Sequence, residues 1–364
     1  MPSQKKVGVL MGGISPEHPV SLVSGTGMLR NLDPHRYRGF PILISKDNVW
    51  SWPDQSGSGA LPAAGPHGTY GVDSAETASA IMASPPAGWL SARFPDFRVF
   101  PRCDLMLIGL HGVGGEDGRL QGFFELAGQA YTGSSSLGSA LAMDKITAKR
   151  IYQSAGIPTA RYRVLSRDDF GEAGKAAATR AALEKEFGYP IVIKNPLGGS
   201  SIGIGIARSA PDLDAILAKL GAESGRLLAE EFIQGREGTC GVLDHFAALA
   251  PTEIRPIQDS FFNFEAKYKP GRTEEITPAG FPADIIAQMQ AIAARCHDAL
   301  QLAVYSRTDF IYAPDADGPG RLFVLETNNL PGFTPTSLLP QAAAYAGLSY
   351  AGLLTKVIEE SFAK

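Results

Sequence analysis

Short apolar runs of strand length alternate with a helix-like segment over the first third of the chain. The strand candidates are "KVGVLMGG", "YRGFPILIS" and "DLMLIGLHG", each ending in glycine or serine. The segment "SPEHPVSLVSGTGMLRNL" follows the first of them and has the pattern of a helix, with Ser15 as its N-cap and Pro16 at its first position. This β-α-β order predicts a parallel sheet covered by helices.

The rest of the chain has a different pattern. A helix is predicted from about residue 143 to residue 155, ending at Gly156. It is followed by a strand, a helix and a second strand, in "YPIVIKN", "APDLDAILAKL" and "RLLAEEFI". Next come antiparallel strands in "EGTCGVLDHFAALAPTEIRPI", a helix in "ADIIAQMQAIAARCHDALQL", strands in "YSRTDFIYAP" and "RLFVLETN", and a final helix in "SYAGLLTKVIEESF".

This layout predicts a mixture of α/β and α+β structure in three domains. The expected domains are a parallel α/β unit over residues 1–144, a small mixed unit over residues 145–236 and a larger mixed unit over residues 237–364. Residues 53–97 are rich in glycine, alanine, proline and serine, so a loop-rich insertion is expected there.

Composition supports a multidomain globular protein. The chain has 364 residues, 44% of them hydrophobic and 19% charged. A chain of this length is too long for one ordinary hydrophobic core. A net charge of −4 argues against a nucleic-acid binder. No apolar run approaches the roughly 18 residues of a membrane span, and no signal peptide precedes the first strand, so we expect a cytoplasmic protein. Its separated cysteines are expected to be buried thiols in a reducing compartment: Cys103, Cys240 and Cys296.

The end of the last predicted strand carries an unusual group of polar residues. "ETNNLPGFTP" follows an apolar run, and "RTDF" lies on the strand before it. If the two strands form a hairpin, Asp309, Glu326 and Asn328 can converge, since residues two apart face the same side of a strand. Two carboxylates and an amide suit a hard divalent cation, although a solvent-facing polar strand end is the simpler alternative. A lone carboxylate at Asp309, in an apolar setting, would be costly, which favours the metal site.

Two further segments suggest ligand contacts. In "PIVIKNPLGGSSIGIG", Lys194 ends a strand and precedes a glycine- and serine-rich loop that could close over phosphates, although such loops are usually flexible linkers. This loop lacks the P-loop order. His111, in "LHGVGGEDGRLQG", and Glu17 follow strands of the parallel sheet, where α/β proteins bind ligands. Either one could instead be structural, with Glu17 complementing the helix dipole.

Taken together, these segments resemble the D-alanine–D-alanine ligases of the ATP-grasp superfamily. The resemblance rests on seven segments in family order over nearly the whole chain: "GGISPEHPVSLVS", "LHGVGGEDGRLQG", "YTGSSSLGSALAMDK", "GGSSIG", "EAKY", "RTDF" and "ETNNLPGFTPTSLLP". Each segment is weak alone, and the ordered set is specific. The resemblance implies an ATP-grasp fold whose N-terminal domain is Rossmann-like.

The resemblance also implies a role for each matching residue. ATP phosphates would be bound by Lys145, Lys194 and Lys267, the adenine by Glu230, Glu231, Phe232 and Ile233, and the ribose by Glu237. Two Mg²⁺ ions, or Mn²⁺, would be coordinated by Asp309, Glu326 and Asn328. Glu17 would bind the ammonium group of the first D-alanine and belong to a hydrogen-bonded set with Ser200 and Tyr268, and His111 would lie near the substrates. Arg307 and the Gly332 N–H would stabilise an oxyanion, and Ser337 and Leu338 would bind the second D-alanine.

The implied activity is the ATP-dependent joining of two D-alanines by a homodimeric enzyme. The resemblance also implies that Tyr268 favours D-alanine over D-lactate as second substrate. The alternatives are a ligase of the same family acting on other amino acids or D-lactate, and a nucleotide-binding regulator without turnover. The chain departs from the family pattern at Leu197 and Gly198, where members commonly have charged residues, and at Pro19. The first two put some loop-closing ion pairs in doubt, and Pro19 is tolerable within a first helical turn.

Overall fold

The computed structural model describes residues 4–54, 69–93, 103–171, 173–199, 203–246, 248–257, 273–315, 318 and 320–364. Its strands form three sheets, one in each successive part of the chain. None of the helices within these residues is long and apolar enough to cross a membrane.

The first sheet has a parallel centre, as predicted. Its strands are β1 (Lys5–Gly12), β2 (Tyr37–Ile44), β3 (Val49–Pro53), β4 (Trp89–Arg93) and β5 (Leu105–Ile108), in the order β4-β3-β2-β1-β5. Strand β1 pairs in parallel with β2 and β5, whereas β3 and β4 extend the edge in antiparallel fashion. Helix α1 (His18–Arg30) connects β1 to β2. From β1 the chain passes to β2, on one side of β1, and it later forms β5 on the other side of β1. The carboxyl ends of β1 and β5 therefore form a crevice of the kind in which α/β proteins bind ligands.

Two predictions for this region are wrong in detail. Helix α1 begins at His18 with Glu17 as N-cap, because Ser15 forms a separate turn, its hydroxyl accepting from the Glu17 N–H at 3.0 Å and its carbonyl from His18. The stretch predicted as loop contains helix α2 (Ala75–Ala83) as well as strand β4. Helix α2 starts with a capping box at Ser74, a local signal that the small-residue composition obscured.

The second sheet is small and antiparallel. Helices α3 (Arg119–Ala127), α4 (Ser136–Met143) and α5 (Lys145–Ser154) precede it. Its strands, in the order β6-β9-β7-β8, are β6 (Tyr162–Ser166), β7 (Ile191–Lys194), β8 (Ile204–Ala207) and β9 (Arg226–Glu231). Its connecting helices are α6 (Arg167–Phe170), α7 (Ala173–Phe187) and α8 (Ala210–Glu223). The predicted strands and helices of this region are confirmed.

The third sheet is antiparallel, also as predicted. Its order is β12-β11-β10-β13-β14, with β10 (Arg236–Leu243), β11 (Thr252–Pro256), β12 (Thr273–Ile276), β13 (Tyr305–Ala313) and β14 (Arg321–Asn328). Helix α9 (Ala283–Ala299) covers one face of this sheet. Helices α10 (Leu338–Tyr345) and α11 (Tyr350–Ala363) end the chain.

The last helix, α11, packs against the first sheet, whereas α10 contacts β10 of the third sheet. Leu353, Val357 and Ile358 of α11 belong to the same buried cluster as the strands β1, β2 and β5. Polar contacts strengthen this junction, since Lys364 Nζ donates to the Gly133 carbonyl at 2.7 Å. The core of the first sheet is therefore completed by the end of the chain, and the predicted domain bounds stay a prediction.

Candidate functional site

The hairpin of β13 and β14 brings the predicted metal ligands together. Asp309 lies directly opposite Glu326, and the Asn328 side-chain amide donates to Asp309 Oδ2 at 3.0 Å. Thr239 Oγ1 donates to the other Asp309 oxygen at 2.6 Å. The register shifts after Asp309, so that Leu325 is an extra residue in β14. This bulge turns Glu326 and Asn328 onto the face that carries Asp309, which strict alternation from the buried Val324 would not do.

Arg307 and Lys145 supply positive charge beside these carboxylates. The Arg307 guanidinium donates to both Asp309 oxygens, at 2.9 Å each, which fixes its plane. Lys145, at the start of α5, lies 2.7 Å from Glu326 Oε2 and donates to the Gly198 carbonyl at 2.7 Å. Helix α5 begins there because the Asp144 carboxylate accepts from the backbone N–H groups of its first turn.

A second charge cluster lies where β7 and β9 meet. Glu230 is 2% exposed, and its carboxylate contacts Lys194 at 2.6 Å and Lys149 at 2.7 Å. Burial alone would raise the pKa of Glu230, but the two ammonium groups lower it to about 2. Glu230 is therefore ionised at any working pH. Sequence reasoning missed Lys149, although its position four residues after Lys145 places both on one face of a helix.

Most of the predicted substrate residues line one cavity of about 570 Å³. It lies between the first and third sheets, and the predicted residues around it are Glu17, His111, Lys145, Arg307, Glu326, Asn328, Gly332, Ser337 and Leu338. Among the described residues, the predicted site residues that do not border the cavity are Asp309, Lys194, Glu230, Glu231, Phe232, Ile233 and Glu237. Glu116 and Glu275 also line it, and sequence reasoning missed both.

Part of the cavity wall is formed by residues that follow β1 and β5 of the first sheet. Glu17 is 8% exposed and His111 is 5% exposed, so both side chains are largely withdrawn from solvent. His111 Nε2 and Ser24 Oγ are 2.8 Å apart, and Nδ1 lies 3.7 Å from Glu116. Gly112 has φ +71°, and a Cβ there would lie 2.4 Å from Glu17 Oε2. The tight turn after β5 therefore needs glycine to place His111 beside Glu17.

Another part of the cavity wall is formed by the loop after β14. Ser337 Oγ accepts from the Thr334 N–H at 3.0 Å, and Ser337 precedes the first residue of α10. A helix N-terminus favours a carboxylate, since its N–H groups point outward. Gly332 faces Ser337, because a Cβ on it would lie 3.0 Å from Ser337 Oγ. This part of the wall can hold a carboxylate, while Glu17 can hold an ammonium group.

The donor sets fit the groups that the resemblance implies. Asp309, Glu326 and Asn328 offer oxygen atoms of the kind that Mg²⁺ prefers, and the lysines beside them suit phosphate. No group of three or more histidine, cysteine, aspartate or glutamate side chains is placed to hold a metal within the described part of the chain. The predicted set contains only two carboxylates, so further ligands would have to come from phosphate and water. The predicted residues Ser200, Lys267 and Tyr268 lie outside the described residues.

Comparisons with known proteins agree across the whole chain. Family models described as D-ala D-ala ligase N-terminus and C-terminus match residues 6–134 and 151–359. A D-alanine–D-alanine ligase of Leptospira biflexa is 36% identical over 99% of both chains. The solved VanG D-Ala:D-Ser ligase of Enterococcus faecalis has a TM-score of 0.81 and 29% identity, covering 99% of this chain and 100% of that one. A Bacillus anthracis D-alanine–D-alanine ligase complexed with ATP has a TM-score of 0.70 and 27% identity, covering 99% and 98%. The predicted ATP-grasp fold is confirmed.

Proposed function

The chain belongs to the D-alanine–D-alanine ligase family, and we propose that its reaction, the ATP-dependent joining of two D-alanines, takes place in the cavity between the first and third sheets. The observation that supports this placement is the arrangement of charges around one space. Glu17, His111, the turn of Gly332 and Ser337, and Glu326 with its partner Lys145 all line it.

The first step activates a carboxylate, which is a poor electrophile. The carboxylate of the first D-alanine attacks the γ-phosphate of ATP, giving D-alanyl phosphate and ADP. We assign Glu17 to its ammonium group and Lys145 and Lys194 to the phosphates. Mg²⁺ held by Asp309, Glu326 and Asn328 would neutralise phosphate charge. The protein otherwise contributes position, since phosphoryl transfer needs little covalent chemistry from side chains.

The second step forms the peptide bond. The amine of the second D-alanine attacks the acyl carbon, a tetrahedral oxyanion forms, and phosphate leaves. Arg307 is held rigidly by Asp309, which suits it to stabilise the oxyanion together with the Gly332 N–H. Ser337 and Leu338 would bind the carboxylate of the second D-alanine at the start of α10.

Finer features of the reaction stay predictions. These are the number of Mg²⁺ ions, the use of Mn²⁺, the homodimer and the cytoplasmic location. Ser200 and Tyr268 would close over the site with Glu17, and Lys267 would reach the phosphates. The departures at Leu197 and Gly198 bear on this closure, and Gly198 already contributes its carbonyl to Lys145.

A phosphate-release assay tests the proposed function. Purified protein should release phosphate from ATP only when D-alanine and Mg²⁺ are both present, because the acyl phosphate needs a carboxylate and charge neutralisation. Equal release without D-alanine would contradict a ligase and favour a nucleotide-binding or hydrolytic protein.

A mixed pool of substrates tests the alternative within the family. The similarity to a D-Ala:D-Ser ligase makes D-serine a relevant competitor. Mass spectrometry of products from D-alanine, D-serine, L-alanine and D-lactate with ATP should show D-alanyl-D-alanine as the main product. If a mixed dipeptide or an ester predominated, the second substrate would be the other compound in that product and not D-alanine.

A further inference from the structure

Two lysines share a single buried carboxylate beside the predicted phosphate site. The side chains of Lys149 and Glu230 are 1% and 3% exposed, and that of Lys194 is 9% exposed. Lys194 and Glu230 have predicted roles toward ATP, whereas Lys149 has none. A buried cation beyond the one needed to balance a carboxylate is costly, so its presence calls for a physical reason.

Lys149 also connects two parts of the fold. It lies one helical turn after Lys145 on α5, and its ammonium group donates to Thr159 Oγ1 at 2.6 Å. The Thr159 hydroxyl donates in turn to the Val324 carbonyl of β14, at 2.9 Å. One face of α5 therefore contacts β14 twice, directly at Glu326 through Lys145 and indirectly through the bond from Lys149 to Thr159. Lys149 also contacts β9 at Glu230.

The charges of the cluster explain why a second lysine is needed. Lys194 and Glu230 alone would form a neutral pair, which offers no net attraction to a triphosphate. If Lys194 turned toward a phosphate, Glu230 would be left as a buried, uncompensated carboxylate, which is strongly unfavourable. Lys149 removes this cost, because Glu230 keeps one cation when Lys194 is shared with the ligand.

We propose that Lys149 is a positioning residue for the nucleotide: it compensates the charge of Glu230, so that Lys194 can bind a phosphate of ATP. This inference rests on the proposed function for the assignment of Lys194 to ATP. The proposal is tested by measuring binding constants for the nucleotide, and these do not require peptide formation. The role of Lys149 and the proposed ligase activity can therefore fail separately.

Calorimetric titration with Mg²⁺ and ATP, and with ADP, tests the proposal on the full chain. Lys149→Met should weaken ATP binding by about ten- to a hundredfold, which corresponds to a loss of about 1.4 to 2.8 kcal/mol of binding free energy. The KM for D-alanine should stay unchanged, and Lys149→Arg should restore most of the affinity because it keeps the charge. Arg150→Met, which removes one exposed charge from the same helix, is the matched control and should bind ATP normally.

A double-mutant cycle separates charge compensation from a structural role. In a Glu230→Gln background there is no carboxylate to compensate, so adding Lys149→Met should leave ATP affinity unchanged. If Lys149→Met does not fold, Lys149→Gln, which keeps a donor for Thr159 Oγ1, takes its place in the cycle. A folded Lys149→Met protein with normal ATP affinity, or an equal loss of affinity with and without Glu230, would overturn the proposal.

Discussion

Replacing Glu326 by glutamine is the most direct test of the hairpin site. The change keeps the size of the side chain and removes the charge that lies opposite Asp309 and 2.7 Å from Lys145. It should lower kcat by about a thousandfold, because loss of a metal ligand removes roughly 4 kcal/mol of charge stabilisation from phosphoryl transfer. A higher Mg²⁺ concentration should recover part of this loss, since the remaining ligands still bind the ion more weakly.

The effect on stability should be much smaller. The side chains of Glu326 and Lys145 are 24% and 10% exposed, so their ion pair is neither fully buried nor on the surface. Lys145 keeps the Gly198 carbonyl as an acceptor after the change. We therefore expect a loss of about 1–3 kcal/mol in the free energy of unfolding, between the values for exposed and for buried pairs.

The assay is coupled phosphate release with D-alanine over a Mg²⁺ titration, with thermal melting run in parallel. Glu274→Gln on β12 is the control, because that carboxylate is 59% exposed and pairs with Arg255 away from the cavity. A Glu326→Gln protein with the kcat of the unaltered chain at low Mg²⁺ would refute the metal assignment. Loss of a cooperative melting transition in Glu326→Gln would show instead that the folded state requires the ion pair with Lys145.

Two further predictions concern the turn beside Glu17 and the thiols. Gly112→Ala should raise the KM for D-alanine, because φ +71° and a Cβ 2.4 Å from Glu17 Oε2 impose strain of roughly 1–3 kcal/mol; Gly128→Ala, at φ +63° with open space around it, is the control and should leave this KM unchanged. Burial raises the pKa of Cys240 and of Cys296 to about 12, so at pH 8 a thiol reagent should label neither until the protein unfolds; rapid labelling of the native protein would contradict their burial.

Much of the fold could be predicted from local patterns. The strands of all three sheets that the sequence indicated are present, because apolar runs bounded by glycine and polar residues are a strong strand signal. The start of α1 was misplaced because Ser15 is a good cap for the turn that precedes the helix as well as for a helix. Helix α2 was missed because its short apolar face contains mainly alanine.

The site shows a clearer limit. Spacing alone could place Glu326 and Asn328 on one side of a strand, but not on the side of Asp309, because the bulge at Leu325 reverses the alternation. The Lys149 contact could not be predicted either, since it depends on how α5 crosses β9. A local pattern defines which side chains share a face, whereas the partner of that face is set by packing between distant parts of the chain.

The packing of α11 against the first sheet has a consequence for how the protein is made. On the ribosome, strands β1, β2 and β5 emerge more than two hundred residues before Leu353 and Val357, which complete their core. Until then, the face of the first sheet that α11 covers in the folded protein is exposed to solvent in the nascent chain. Contacts between residues so distant in sequence form slowly. During translation, the amino-terminal part of this enzyme should therefore depend on chaperones until the last helix is released.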